Sequence, residues 1–409
     1  MPTAEFEARM QKAVDDGVVP GVVLLAKFRD GSLDYSLSLG NSVLPPASNS
    51  PIPMTLDTTF TLASMTKLLT GVAILQLVEK KLVALDTDIS SLLPELASQP
   101  VLTGFDESGS PILTRRKNPI LLRHLLSHSS GAGYVFLDAR LEKYFKATNQ
   151  TIPMPLSSIG GKSVSERFGY PLLFEPGEGW SYGGGLDWAG ELVRRLSGGK
   201  GLDEFVRENI LSKVGVEEDR ITFFPARFEQ ESKIKRAGMG SRNKESGRVE
   251  GFEGWGASKE ETDEMGGEGA HADLTGYMTV LESLLQDDGR LLKSETLELL
   301  FEGLLDDRDP KAKEALKESV KNPGWIVGWV PDNGGEYDWS VGGLVTTKDG
   351  EVRKKGYLQW GGVFNLSWFI DRTAGVAGIF GTQVLQPADP LVRPLMRDFE
   401  EELYKLVRR

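Results

Sequence analysis

Cysteine is absent from all 409 residues, which excludes disulfides, thiolate zinc sites, iron–sulfur clusters and a cysteine nucleophile. Histidine is scarce, with three residues, His124, His128 and His271, so acid–base chemistry falls mainly to other groups. Positive charge is in deficit: 47 basic against 59 acidic residues leave a net charge of −12. A polyanion meets net repulsion, and nucleic acid is not an expected partner. Long apolar runs are missing too. The longest strongly apolar uncharged stretch, Leu68 to Val78, is far short of the roughly twenty residues of a membrane span. The opening residues Met1 to Met10 are acidic and lack the basic flank, apolar run and small-residue cleavage site of a signal peptide. These absences predict a soluble, cytoplasmic protein with no membrane partner.

What is present suits a globular enzyme. Hydrophobic residues make up 40 % and charged residues 26 % of the chain, enough apolar side chain for a core, and the length suits two or three modules or one large core. Residues 3 to 18 carry helical spacing (Phe6, Met10, Ala13, Val14). Val22 to Phe28 and Leu33 to Leu39 are strand-prone runs around Arg29-Asp30-Gly31, whose Asp-Gly pair suits a tight hairpin. From Ser64 to Lys81 the apolar positions return at three and four, making the most apolar helix of the chain. Helical segments cut by Gly/Pro loops follow between about 95 and 270. After a helical pair (Asp273 to Leu304) and a charged stretch (306 to 321), strands are predicted over Trp325 to Val330, Ser340 to Thr347, Tyr357 to Trp360, Phe364 to Asp371 and Gly375 to Gly381, then a helix from about Pro390. This order predicts an α/β chain of the α+β type: an antiparallel sheet built by both termini (1–95 and 270–409), flanked by helices, around a mainly helical lobe (96–269).

Chemistry is most plainly suggested by Ser64-Met-Thr-Lys67. Three-residue spacing at the head of a helix puts both side chains on one face. A serine needs a base to become a nucleophile, and burial of a lysine beside apolar residues favours its neutral amine. The helix N-terminus adds a backbone N–H toward an oxyanion. Ser-x-x-Lys also occurs at Ser197, Ser232 and Ser241, but in glycine- or charge-rich segments. The alternative for Ser64 is a helix cap beside a surface lysine. Two further segments accompany it: Trp180-Ser-Tyr182-Gly-Gly-Gly185 after a Pro-Gly turn, and Gln359-Trp360-Gly361-Gly362-Val363-Phe364-Asn365, where glycines permit close backbone approach.

Together with Leu122-Arg-His-Leu-Leu-Ser-His-Ser-Ser-Gly131 and Tyr134-Val-Phe136, these ordered blocks resemble the serine β-lactamase and penicillin-binding-protein superfamily, in its class C-like branch with the family VIII esterases. The flanking blocks are similar to its fungal acyltransferase branch, which serves the lovastatin pathway. The resemblance covers nearly the whole chain and implies a β-lactamase-like fold. It implies Ser64 as acyl-accepting nucleophile, Lys67 as general base, Tyr182 as proton relay, and the backbone N–H groups of Ser64 and Val363 as oxyanion hole. Tyr134 is implied to lie near the serine. Tyr134, Phe136, Trp360, Gly361, Gly362 and Phe364 are the candidate substrate-binding residues. The chain departs from class C β-lactamases at Gly184, where they carry asparagine, and at Trp360-Gly361-Gly362, where they carry Lys-Thr-Gly, so groups that bind a lactam's amide and carboxylate are missing. The expected partners are an acyl thioester donor, such as an acyl carrier protein domain of a polyketide synthase, and a small-molecule alcohol acceptor. No cofactor or metal is expected. Discharge of the acyl-enzyme to an alcohol makes an acyltransferase; discharge to water makes a carboxylesterase.

Three rivals compete. Gly179-Trp-Ser181-Tyr-Gly183 matches the Gly-x-Ser-x-Gly nucleophile elbow, but an elbow needs a strand before its serine and Pro176-Gly177 interrupts that region. His124 and His128, four apart, have metal-binding spacing, with His271 as a third ligand; lacking an adjacent Glu, they suit satisfied histidines better. Trp188 and Trp368 suit core, the 183–185 and 266–269 glycine runs suit turns or close backbone approach, and the 306–321 charges suit a solvated helix face. A binding scaffold without catalysis is the remaining class, disfavoured because nothing structural requires Ser64, Lys67 and Tyr182 together.

Overall fold

The computed structural model describes residues 1–152, 163–231, 233–253, 264–305, 310–321 and 336–407. Asp30-Gly31 does close a hairpin. Strands Gly21–Phe28 and Asp34–Val43 pair antiparallel, with Leu24 opposite Leu37, and Gly31 adopts φ +75°. On its other edge Gly21–Phe28 pairs with Val376–Gly381, so the two ends of the chain are stitched into one sheet. That sheet has eight strands in the order 337–339, 344–346, 358–362, 366–371, 376–381, 21–28, 34–43 and 52–53. Neighbours are antiparallel throughout.

Side chains on the central strands point alternately into two cores. Val22, Leu24 and Ala26 meet Phe6, Met10, Phe399 and Leu403 beneath the terminal helices Ala4–Asp15 and Arg393–Val407. Val23 and Leu25 face the opposite layer with Leu68 and Val72. Burial on both faces is why these strands are unbroken apolar runs in the sequence. In that second layer the helix Thr66–Glu79 is buried from Thr66 to Leu77. Apolar all round, it is a core helix. Leu68, Leu69, Val72, Ile74, Leu75 and Leu77 are fully buried or nearly so, each such side chain stabilising by about 1.5–3 kcal/mol. Thr70 Oγ1 donates to Gly266 O at 2.7 Å and Thr66 Oγ1 accepts from Ala270 N at 3.0 Å, tying the helix to a distant loop.

The segment between the two halves of the sheet holds the helices Leu122–Leu126, Ala139–Ala147, Gly185–Leu196 and Leu202–Val206. It also holds two hairpins absent from the sequence reading, Val101–Phe105 with Pro111–Thr114 and Met239–Arg242 with Val249–Phe252. The first turns on Asp106, whose carboxylate accepts the Ser108 and Ser110 N–H groups, a side-chain-closed turn that periodicity alone does not reveal. The single strand expected over 340–347 is a hairpin: Tyr337–Trp339 and Leu344–Thr346 pair about a turn in which Ser340 N donates to Gly343 O at 2.8 Å. The strand expected over Trp325 to Val330 lies outside the described residues. Of the charged stretch, Pro310–Lys321 is a helix with only Ala312 and Leu316 buried.

Candidate active site

The serine turn begins with a strand. Thr58–Thr61, rich in β-branched residues, runs through a single 3₁₀ turn, Ala63–Met65, into the helix Thr66–Glu79. Ala63 sits at φ +47°, a left-handed conformation that costs an L-residue about 1–2 kcal/mol and marks a turn over-determined by its surroundings. Those surroundings are visible: Leu62 N donates to Ala270 O at 3.0 Å, and Thr61 exchanges hydrogen bonds with the Gln383 side chain. Ser64 is left half-exposed between buried Ala63 and Met65. A strained strand-to-helix turn thus stands at Ser64, whereas no strand precedes Ser181. The β-branched Thr58-Thr-Phe-Thr61 run is the sequence signal for this strand.

Lys67 is fully buried, which removes the surface-lysine alternative. Its Nζ donates to Ser64 Oγ at 3.3 Å, to Gly267 O at 2.8 Å and to the Tyr134 hydroxyl at 3.4 Å. It also lies 4.6 Å from the centre of the Tyr182 ring. Tyr134 in turn donates to Asp187 Oδ2 at 2.9 Å. Burial and the neighbouring Asp187 charge hold the Tyr134 hydroxyl well above the usual phenol range, so it stays protonated. Tyr134 therefore belongs to the lysine's hydrogen-bond network rather than simply walling a pocket. Gly267, from the glycine run read as a place of turns or close backbone approach, and Asp187, which the sequence did not single out, complete that network. An aspartate at the start of a helix is commonplace, and only its burial sets this one apart.

Tyr182 is buried, its oxygen accepting from Trp360 Nε1 at 2.9 Å. His128 brackets it: His128 O accepts from Ser181 N at 3.0 Å, its Nδ1 accepts from Gly183 N at 3.2 Å, and its ring lies 4.5 Å from the Tyr182 ring. Burial, with the Lys67 charge nearby, pushes His128 well below the usual imidazole range, as an acceptor of a backbone N–H requires. The strand Leu358–Gly362 brings Trp360 across to this cluster. A Cβ on Gly362 would lie 2.4 Å from Leu62 O, so glycine is needed for the strand to come this close to the serine turn. Past it, Asn365 at φ +66° folds the turn back, its side chain bonded to Val384 O and Gln386 O. Ser64 lies in the first turn of the helical segment, where backbone N–H groups have no partner within the helix, and among the described residues Val363 N makes no hydrogen bond to another backbone group. Two unspent donors flanking a serine suit a developing oxyanion.

The remaining expected residues fall into two groups. Phe136 is 44 % exposed and stacks on the Tyr134 ring at 5.2 Å, an apolar rim beside the network. Phe364 is buried, its carbonyl accepting from Val384 N at 3.0 Å, and Gly361 lies in the buried strand Leu358–Gly362. Trp188 and Trp368 are core. His124 Nδ1 accepts from Leu121 N at 3.2 Å, and among the described residues no three His, Asp or Glu side chains gather as a metal site. Lys200, of the second Ser-x-x-Lys, pairs with Glu204 and Glu208. Of the glycine run at 266–269, Gly267 needs its lack of a side chain because a Cβ there would lie 2.4 Å from Asp187 Oδ2.

The chain has near full-length relatives among known proteins. The chain is 34 % identical over 408 residues to monacolin J acid methylbutanoyltransferase of Aspergillus terreus, covering 98 % of this chain and 96 % of that one. It is also 34 % identical to lovastatin esterase of Penicillium rubens, covering 98 % of each. The solved simvastatin synthase of Aspergillus terreus superimposes with a TM-score of 0.85 at 33 % identity, over 99 % of this chain and 98 % of that one. The beta-lactamase family model matches residues 6–400, and with near full-length relatives on either side of the transferase–esterase divide, the chain belongs to the beta-lactamase family.

Proposed function

We propose that this protein is a serine acyltransferase: it moves an acyl group from a thioester, carrier-protein-bound or of the CoA type, through a Ser64 acyl-enzyme to a hydroxyl of a small secondary metabolite of the polyketide class. The observation that carries the reading is a buried amine, Lys67 Nζ, 3.3 Å from Ser64 Oγ, beside two unspent backbone donors. The site lies where a sheet core of residues 1–95 and 270–409 meets the inserted 96–269 lobe. Lys67 takes the Ser64 proton as Oγ attacks the carbonyl, and the Ser64 and Val363 N–H groups hold the oxyanion, each such donor contributing about 3 kcal/mol. A thiol leaving group, with a pKa of about 8.5, departs with little help. The acceptor alcohol then gives its proton through Lys67 or Tyr182 as it attacks the acyl-enzyme. With Gly184 and Trp360 where lactam-binding groups would stand, lactam hydrolysis is not expected.

A second reading, carboxylester hydrolysis by the same residues, is favoured by the equal identity to lovastatin esterase. Intact-protein mass after brief exposure to a panel of short acyl thioesters tests both. The expected adduct has acyl mass, persists in Ser181→Ala and vanishes in Ser64→Ala; loss only in Ser181→Ala overturns the assignment. Discharge of the adduct by added polyketide alcohol rather than by water selects transferase over esterase.

A further inference from the structure

Asp187 has no role in the chemistry above, yet it is fully buried and linked to both groups that hold the lysine. Its Oδ2 accepts the Tyr134 hydroxyl proton at 2.9 Å, leaving that oxygen's lone pairs toward Lys67 Nζ. Its Oδ1 accepts the Gly267 N–H at 2.8 Å, and Gly267 O accepts from Lys67 at 2.8 Å. We infer that Asp187 is the positioning residue for Lys67: its carboxylate orients the two acceptors that hold the amine and steadies the ammonium formed when Ser64 gives up its proton. This rests on the acyl-transfer reading and names a residue that sets its rate.

The charges facing Asp187 are few. Lys67 faces it from the serine helix, and Glu268 stands beside Gly267 but is paired with Arg167 at 2.5 Å. Tyr134, Tyr170 and Tyr182 supply phenols, and Tyr170 is spoken for by Gly133 O at 2.8 Å. Burial first, and the Glu268 charge second, push the Asp187 carboxyl up to about 6, against the opposing pull of the Lys67 charge, so above that pH it is an anion that Lys67 favours. In acylation the Ser64 O–H bond breaks and an Nζ–H bond forms. The Oγ–carbonyl bond forms as the C–S bond breaks, and the new ammonium returns its proton to the departing thiolate. The anion stabilises the ammonium that forms on Lys67 as Ser64 gives up its proton.

Asp187→Asn tests this. It keeps the size, removes the charge, and presents an NH₂ to one of two groups that are themselves donors. In the folded variant the plateau rate for Ser64 acylation should fall between roughly tenfold and a hundredfold, as expected for a misplaced base. The acid limb of kcat/KM should move to lower pH by about one unit or more. A structural role lowers the rate and leaves the limb where it was, and an unchanged limb overturns the inference. Melting temperatures read the pairing without turnover. With Lys67→Met the carboxylate is buried without its cation, so adding Asp187→Asn should restore part of the lost stability, whereas strictly additive losses overturn the pairing. Wild-type protein that never acylates Ser64 overturns the acyl-transfer reading and leaves the melting cycle to decide the pairing.

Discussion

Gly362→Ala isolates the oxyanion geometry from the proton network. The added methyl would lie 2.4 Å from Leu62 O, whereas carbon–oxygen contacts settle at about 3.3–3.6 Å. Something must yield by roughly 1 Å. Leu62 is held by Ala270 O and by the strand Thr58–Thr61, so the strand Leu358–Gly362 is the element expected to retreat, carrying Val363 N with it. Overpacking of this kind costs about 1–3 kcal/mol, which a protein of this size survives. The lost oxyanion donor costs more: roughly 10²–10³ in kcat. Because that interaction is made only in the transition state, kcat and kcat/KM should fall together while KM changes little. The assay is steady-state hydrolysis of an activated ester such as p-nitrophenyl butyrate. Far-ultraviolet circular dichroism checks the fold, and Gly104→Ala serves as control because no atom lies within 4 Å of a Cβ there. A folded Gly362→Ala protein with kcat within a few-fold of wild type would refute the assignment of Val363 N.

Two predictions concern stability. His124 is pushed down to about 4 and His271 to about 3, in both cases chiefly by burial, against about 6.5 in the unfolded chain. Folded values below unfolded ones give stability that is complete above pH 6.5 and lost as pH falls. At pH 4.5, two units below the unfolded value, each costs close to 2.7 kcal/mol, or about 5 together. Urea titrations at pH 7 and 4.5 should show this loss, and an unchanged slope in His271→Gln would contradict it. On the far side of the sheet, Arg353 and Glu400 form a buried two-pronged ion pair at 2.6 and 2.5 Å. Removing one partner strands a charge, so Glu400→Gln should lose about 3–5 kcal/mol in urea denaturation while kcat is maintained below the melting range; a near-neutral change would show the pair to be solvated.

Several parts of the site were readable locally. Ser64 and Lys67 are three residues apart, one in the 3₁₀ turn Ala63–Met65 and the other in the first turn of the helix that continues it, so their meeting follows from local helical geometry. The Asp-Gly hairpin at 30–31 is likewise a short-range consequence of backbone preference. The Trp360-Gly361-Gly362 block was recognisable as a place of close approach, though not what approaches it. Ala63 was not legible, because a left-handed alanine has no composition signal; its strain exists only because flanking contacts impose it. The hairpin 337–346 is hidden in the sequence because Gly342-Gly343 sits inside an otherwise apolar run.

What the sequence by itself determined is therefore the chemistry's short-range half: a serine and a lysine at the head of an apolar helix, strands that must be buried on both faces, and an ordered set of motifs marking the family. What only the tertiary structure decided is the lysine's surroundings. Tyr134, Gly267 and Asp187 reach it from 67, 200 and 120 residues away along the chain, and Trp360 reaches Tyr182 across 178. Such meetings are set by which layers pack together and how closely glycine lets two backbones approach, and neither is encoded in spacing. A buried carboxylate and a surface one are the same letter in the sequence; the difference between them is the water that packing removes.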